Sequence, residues 1–157
     1  MKKFLMIMGG IFLVLVLILA VAVGFLMTKG RSLDAESQKY VEKMLPDFLP
    51  AMTQEKFYSY VHPEDHDKLD KQQVEKYLTA FRAGLGEYQS SLSGVRCNAN
   101  VNVTPQGTVT TADCVAEAGF KNGVAKIKIL LLRREDSWSL ARIDFFSDAL
   151  LPNGGAK

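Results

Sequence analysis

The longest apolar segment of the chain lies at its start, where residues 4–27 carry no charged side chain. At about 1.5 Å per helical residue, this segment can cross a hydrocarbon core of roughly 30 Å. A cleavable signal peptide is the alternative, because Lys2 and Lys3 precede the segment and the small residues 20–22 could form a cleavage site. Its apolar region would usually span only about 7–15 residues, whereas this one continues to Met27. The pattern therefore favours an uncleaved transmembrane helix over residues 4–27, which would hold the chain in the lipid bilayer.

The charges on either side of this segment indicate its orientation. Lys2, Lys3 and the amino terminus on one side outweigh Lys29 and Arg31 on the other. Because cationic flanks are retained in the cytoplasm, we expect residues 1–3 to be a cytoplasmic tail and the rest of the chain to lie outside. The expected divisions after the helix are a short polar linker (28–31), one domain with its own core (32–150) and a disordered tail (151–157).

Three amphipathic helices are predicted in the first half of this domain. Apolar residues at spacings of three and four mark the first helix, which Pro46 and Pro50 are expected to bend or interrupt. They are Leu33, Tyr40, Val41, Met44, Leu45, Phe48, Leu49 and Met52. Thr53 can cap a short second helix. Asp70 and Gln73 form a capping-box pattern before the third helix, whose apolar residues are Val74, Tyr77, Leu78, Phe81 and Leu85.

From Tyr88 onward the apolar residues alternate with polar ones, which indicates β-strands. If Cys97 lies opposite Cys114 in the first hairpin, the apolar residues share one face and Asp113 falls on the polar face. A slip of one residue separates the cysteines and turns Asp113 inward. We therefore predict a Cys97–Cys114 disulfide and an oxidising compartment. Two unrelated buried thiols are the alternative, and a bulge at Gly107 would shift the register.

A second hairpin is predicted at Asn122-Gly123, a dipeptide typical of two-residue turns. This turn would oppose Ala118 with Ile127, Ala116 with Ile129, Cys114 with Leu131 and, as an ion pair on the polar face, Glu117 with Lys128. A further turn leads into a fourth strand that carries Trp138, Leu140, Ile143 and Phe145.

Three helices followed by a four-stranded antiparallel meander resemble the nuclear transport factor 2-like (cystatin-like) superfamily. The helix over residues 70–85, the Asn122-Gly123 hairpin and residues 138–143 carry this resemblance. It implies an α+β fold in which helices pack on a curved sheet as a cone and can leave a cavity between them. The superfamily includes enzymes, ligand binders and assembly components, so the resemblance specifies the fold better than the activity.

A narrower resemblance extends over nearly the whole chain. The anchor, residues 33–37 and 41–46, and the hairpin residues 99–107 are similar to those of small single-pass membrane-anchored proteins of proteobacteria without an assigned role. This similarity implies a bacterial inner-membrane protein whose N-terminus is cytoplasmic and whose C-terminal domain is periplasmic.

The charge balance argues against nucleic-acid binding. Lys2 and Lys3 account for the formal net charge of +2, since 19 Lys and Arg stand against 17 Asp and Glu. The domain itself is neutral and lacks the clustered basic surface that contacts a phosphate backbone. The sequence shows no nucleophile elbow, phosphate loop or cysteine–histidine pair, so no catalytic set is evident. No cofactor is predicted.

Residues 62–67 bring imidazole and carboxylate groups together, as a divalent metal would require. The same residues fit the start of a helix, with Pro63 at its first position and acidic residues in its first turn. We favour the structural interpretation and predict no metal site.

Arg142 and Asp144 raise the question of catalysis. Unbroken alternation along the fourth strand would turn both charges inward, where Asp144 would have a raised pKa and could act as a general base. A bulge near Ala141 would instead turn Ile143 and Phe145 inward and leave both charges outside. We favour the bulge, because it imposes no desolvation cost on either charge.

Three functional hypotheses follow. The leading one is a non-enzymatic membrane-anchored domain that makes protein contacts in the cell envelope, with a partner or with itself. The second is a binder of a small apolar ligand or lipid in the cone cavity, and the third is an isomerase-like enzyme that uses Asp144. The residues of the possible pocket are Tyr77, Phe81, Ile129, Leu131, Arg142 and Asp144.

Overall fold

The computed structural model describes residues 32–150 except Gln106. The helices are α1 over residues 32–48, α2 over Gln54–Tyr60 and α3 over Lys71–Leu85, with a 3₁₀-helix at Pro63–Lys68. The strands are β1 over Tyr88–Thr104, β2 over Gly107–Phe120, β3 over Gly123–Arg134 and β4 over Ser137–Phe146, followed by a 3₁₀-helix at Asp148–Leu150. The strands form one antiparallel sheet in the order β1-β2-β3-β4. The predicted α+β fold, with about three helices before a four-stranded antiparallel sheet, is confirmed.

The predicted cytoplasmic tail, transmembrane helix, linker and C-terminal tail lie outside the described residues. Within residues 32–150, none of the helices combines the length and the apolar character needed to span a bilayer.

The helix boundaries follow the capping residues. Thr53 accepts a hydrogen bond from the backbone N–H of Lys56 at 3.3 Å and so begins α2. Asp70 accepts from the N–H groups of Gln72 and Gln73 at 2.8 and 3.3 Å and so begins α3. Gly86, with a φ of 76°, ends α3 in a backbone conformation that side chains disfavour. The starts of α2 and α3 agree with the sequence prediction.

The proline prediction for α1 holds only in part. The helix continues through Pro46 and ends at residue 48, two residues before Pro50. Pro46 lies on the exposed face of α1, where water can hydrate the carbonyl group that the proline leaves without an N–H partner. An exposed proline therefore does not interrupt this helix.

The predicted register of the first hairpin is confirmed. Cys97 lies opposite Cys114, and the two are joined in a disulfide. Thr104 lies opposite Gly107, so Gly107 introduces no register shift at the turn. Asp113 is exposed on the polar face of β2, as the alternation of the strand requires.

The predicted register of the second hairpin is wrong by two residues. The observed opposed pairs are Ala118 with Ala125, Ala116 with Ile127, Cys114 with Ile129, and Glu117 with Lys126. The turn residues are Lys121 and Asn122, because Phe120 pairs with Gly123. A shift of two residues keeps each side chain on its predicted face, so the apolar surface is preserved. The predicted Glu117–Lys128 ion pair is not among those formed within residues 32–150.

Contacts with the end of α3 explain this shift. The backbone N–H groups of Lys121 and Asn122 donate to the carbonyls of Glu87 and Leu85 at 2.8 and 3.0 Å. The Asn122 side chain donates to the carbonyl of Gly84 at 2.9 Å. Asn122 thus satisfies carbonyl groups at the helix terminus, and this tertiary role outweighs the local preference for an Asn-Gly turn.

One hydrophobic core lies between the helices and one face of the sheet. From α1 and the turn after it come Val41, Met44, Leu45, Phe48, Leu49 and Met52. From the sheet come Ala112, Cys114, Ala116, Ala118, Phe120, Ala125, Ile127, Ile129, Leu131, Leu140 and Phe145. The small residues of β2 complement the larger ones of α1 and β3, which gives the close packing of a folded interior. Asp34 ties α1 to the edge of the sheet by accepting the N–H of Ala99 at 2.7 Å.

Candidate functional site

A bulge in β4 determines which side chains reach the surface at this edge of the sheet. Leu140 pairs with Leu131 and Arg142 pairs with Leu130, so Ala141 is the extra residue. After the bulge, Ile143 and Phe145 join the core, which confirms the favoured prediction. The arginine and aspartate of this segment consequently lie on the face of the sheet that is turned away from the core.

Arg142 and Asp144 form an ion pair. Arg142 Nε lies 2.7 Å from Asp144 Oδ2, with Arg142 70% exposed and Asp144 33% exposed. Each group therefore already has a partner of opposite charge at the surface. This arrangement differs from the desolvated carboxylate that the isomerase-like hypothesis requires.

An open groove of about 350 Å³ lies between α3 and the bulged segment of β4. Its lining residues are Phe57, Val74, Tyr77, Leu78, Phe81, Ala141, Arg142, Ile143 and Asp144. Tyr77 is 58% exposed and is stacked beside Phe81, with the ring centroids 6.4 Å apart. The ring of Phe81 also packs against that of Phe145, with the ring centroids 4.8 Å apart, and this contact connects the groove to the core. We call this feature the α3–β4 groove.

The structure brings together four of the six predicted pocket residues. Tyr77, Phe81, Arg142 and Asp144 line the α3–β4 groove, whereas Ile129 and Leu131 do not. Ile129 and Leu131 are at most 2% exposed and belong to the core beneath the helices. The groove also contains residues that were not predicted, among them Phe57 and Val74. Both lie in the apolar stripes of α2 and α3, and this periodicity is visible in the sequence.

Among residues 32–150, β3 is the only strand that pairs with β4, so the other edge of β4, on the side of the groove, has no strand partner there. The Cα atoms of Cys97 and Cys114 are 4.1 Å apart, the spacing of a non-hydrogen-bonded pair. Cys114 therefore directs its N–H and C=O toward Ile129 on β3, and Ile129 uses its own N–H and C=O in this pair. Ile129 and its partner on β4, Ile143, consequently form a non-hydrogen-bonded pair. It follows that Ile143 directs its N–H and C=O toward the free edge.

The segment 62–67 is a structural element. It forms most of the 3₁₀-helix, in which His62 is the N-cap and Pro63 the first residue, as the favoured interpretation predicted. His66 Nε2 lies 3.1 Å from the carbonyls of both Tyr58 and Val61 and contacts them as a donor. Within residues 32–150, no group of three or more histidine, cysteine or acidic side chains could hold a metal.

Arg134 anchors this 3₁₀-helix to the β3–β4 turn. Its guanidinium lies 3.0 Å from Asp65 and 3.4 Å from Glu64. Lys68, at 2.7 Å, and Arg134 together lower the pKa of Asp65 below its ordinary value by stabilising the carboxylate form. The charged form of Asp65 therefore contributes to the stability of the fold.

We expect D65N to weaken the acid sensitivity of the domain. A lowered folded-state pKa gives stability that is complete above the unfolded value of about 3.9 and is lost as the pH falls through the folded value. D65N should therefore be less stable than the wild type at neutral pH and should converge with it in strong acid. Thermal unfolding of the full chain in mild detergent across this pH range measures the difference.

The matched control for this prediction is D67N. Asp67 is exposed two residues further on and takes part in none of the ion pairs found in the described part of the chain. D67N should follow the wild-type pH dependence. If D65N also follows it, Asp65 does not contribute through its charge.

A second polar cluster joins α1 to α2. Lys56 donates to Asp47 at 2.8 Å, and the hydroxyl of Tyr60 also donates to Asp47. Lys56 and Tyr60 lower the pKa of Asp47, while burial and the carboxylate of Asp47 raise the pKa of Tyr60 to about 12. Burial raises the pKa of Tyr40 to about 12. A tyrosine of this kind keeps its proton at neutral pH and acts as a hydrogen-bond donor.

Comparison of the chain with models of protein families, with curated proteins and with solved structures finds no match.

Proposed function

We propose that this chain is a non-enzymatic, membrane-anchored domain of the bacterial envelope that binds a protein partner in the α3–β4 groove. The observation that carries this proposal is a solvent-exposed aromatic groove beside the free edge of a β-strand. The aromatic side chains and the free strand edge each favour a protein as the occupant.

The aromatic half offers apolar contact area. Tyr77 is more than half exposed although it continues the apolar stripe of α3, and Phe81 is only partly buried beneath it. Exposed aromatic side chains that stand on a rigid helix are frequent anchors of protein interfaces, because they bury a large area and lose little conformational freedom. A partner side chain placed between Tyr77 and Ala141 would cover this surface.

The strand half offers main-chain hydrogen bonds. An extended segment of a partner can pair with the N–H and C=O of Ile143 and so add a fifth strand to the sheet. The bulge at Ala141 interrupts this edge, which restricts how far the added strand can extend. The Arg142–Asp144 pair at the rim would then help to select the partner by its charges.

The polar groups of the groove support binding over catalysis. Arg142 and Asp144 are the charged residues that line it, and each neutralises the other. A general base needs a free carboxylate within hydrogen-bond reach of its substrate. An isomerase-like reaction that uses Asp144 would first have to break this pair.

The setting that we propose follows from the sequence. Residues 4–27 anchor the chain in the inner membrane by a single pass, with the N-terminus cytoplasmic and the domain periplasmic. The Cys97–Cys114 disulfide is compatible with that oxidising compartment. Membership of the nuclear transport factor 2-like superfamily belongs to the same proposal, and the order of three helices before four antiparallel strands supports it.

A small apolar ligand or lipid is the second candidate occupant. The volume of the groove, about 350 Å³, falls within the range of small-molecule pockets. The groove is open along the strand edge, which favours a partner that reaches beyond it.

Site-specific photocrosslinking in intact cells tests the proposal. A photoreactive benzoylphenylalanine in place of Tyr77 should give a protein adduct in the membrane fraction, and adding A141E should abolish it by placing a charge in the groove. The control positions use Val124, which is 64% exposed and lies outside the groove. The probe at Val124 should give no such adduct, and V124E should leave the adduct at position 77 intact.

Each other outcome has a defined meaning. A low-mass apolar adduct at position 77 would favour the second candidate. No adduct at position 77 in a chain that fractionates with the membrane would contradict binding at the groove. A chain that is released by alkaline carbonate, or that begins after residue 22, would contradict the anchor.

A further inference from the structure

The first hairpin carries an unusual surface at its end. No charged side chain occurs between Cys97 and Ala112, although charged residues make up 23% of the chain. Pairing of β2 with β3 begins only at Thr110, so the end of the hairpin extends beyond the rest of the sheet. We call residues 100–105 and 107–109 the hairpin tip. All of these residues are exposed.

Three valines make the hairpin tip apolar on both faces. Val103 is 83% exposed and Val101 is 53% exposed, and both continue the core face of β1 past the end of the core. Val109 is 41% exposed on the other face. Between them lie Asn and Thr side chains, which can form hydrogen bonds without carrying charge. An exposed strand pair with apolar side chains and no charges can pair with other chains and aggregate. Such a surface is usually covered by a binding partner or a membrane.

The hairpin tip lies beside the point at which the chain enters the domain. Asp34 accepts the N–H of Ala99, so the start of α1 is fixed next to β1 at this level. From Ala99, β1 continues to Thr104 at about 3.3 Å per residue and so reaches roughly 17 Å further along the sheet. The linker of residues 28–31 spans at most about 14 Å when fully extended. Because the hairpin extends further than the linker can, the hairpin tip is able to touch the bilayer in which residues 4–27 are proposed to be anchored.

We propose that the hairpin tip contacts the lipid bilayer and places its valines in the interfacial region. The inference rests on the proposed anchor at residues 4–27. Valine side chains gain from leaving water, while neighbouring Asn and Thr groups can bond to headgroups. Because the hairpin tip has no cationic side chain, its contact requires no anionic lipid and resists salt. The hairpin tip thereby adds a second membrane contact to that of the proposed anchor.

The free edge of β1 argues against a second copy as the occupant. Ala99, Val101 and Val103 all direct their backbone N–H and C=O groups toward the free edge of β1. The N–H of Ala99 already donates to Asp34. Val101 and Val103 are the edge-facing residues left to pair with another chain, and so short an edge gives few hydrogen bonds. In contrast to the edge of β4, this edge has no aromatic side chain within the hairpin tip to add contact area. The missing charges also remove the usual means of selecting a protein partner.

Tryptophan substitution tests the inference on the full chain in vesicles. V103W places a fluorophore in the hairpin tip, and V124W places one at a similarly exposed valine at the opposite end of the sheet. The vesicles contain phosphatidylethanolamine and phosphatidylcholine with brominated acyl chains, which quench nearby tryptophan. The wild type, whose only tryptophan is Trp138, supplies the baseline.

We expect V103W to lose roughly half of its added emission in brominated vesicles, at low and high salt alike, as an interfacial side chain would. V124W should show no added quenching. If both variants remain with the vesicles and V103W is not quenched, the inference is wrong while the anchor stands. A blue-shifted V103W emission that persists in unbrominated vesicles and detergent would indicate protein pairing instead. If the chain does not remain with the vesicles, the anchor and the inference fail together.

Discussion

Removing the Cys97–Cys114 disulfide is expected to destabilise the domain by about 3 kcal/mol, which corresponds to a fall in Tm of roughly 10 °C. The two cysteines lie 17 positions apart in the sequence, so the bond restricts the unfolded chain by closing a loop of moderate length. The test variant is C97A/C114A, because alanine fits beside Ala112 and Ala116 on β2 and leaves no reactive thiol. Thermal unfolding of the full chain in mild detergent measures the shift.

Reduction supplies the control for this prediction. A reductant should lower the Tm of the wild type by a similar amount and should leave the Tm of C97A/C114A unchanged. If reduction has no effect on the wild type, the two sulfurs are not bonded in the protein. An oxidising compartment would then lose its support, and with it one argument for a periplasmic domain.

The two hairpins show which registers can be predicted from the sequence. For β1 and β2, the cysteine pair and Asp113 gave independent tests that agreed, and both concern side chains within the two strands themselves. The Asn122-Gly123 turn was assigned from local preference alone. Its register depends on the carbonyl groups at the end of α3, which receive Asn122, and this contact is distant in sequence. A local pattern could not contain that information.

The α3–β4 groove could be predicted in its parts and not as a whole. The stripe with Tyr77 and Phe81 is visible as a helical period, and the bulge at Ala141 follows from the cost of burying two charges. How α3 lies across the sheet depends on the packing of the core. That packing left Ile129 and Leu131 beneath the helices and brought Tyr77 to the surface. The predicted pocket therefore became a groove at the strand edge.

Truncating Leu131 is expected to cost about 2–5 kcal/mol, because it opens a cavity in a filled core. Leu131 is fully buried, and it faces the helices from the middle of the sheet. The same change at Leu130, which is only partly buried on the opposite face, should cost about 1 kcal/mol or less. Thermal or denaturant unfolding of L131A and L130A, followed through Trp138, compares the two variants under identical conditions.

This pair also separates the two forms of the ligand hypothesis. If an open cone cavity lay against Leu131, truncating the side chain would only enlarge a space that already exists, and L131A would resemble L130A in stability. If the core is filled, L131A should be far less stable, and any apolar ligand must bind in the α3–β4 groove. Equal costs for the two variants would restore the internal cavity and weaken the case for the groove as the binding surface. A large difference would leave the α3–β4 groove, with Tyr77, as the proposed binding surface.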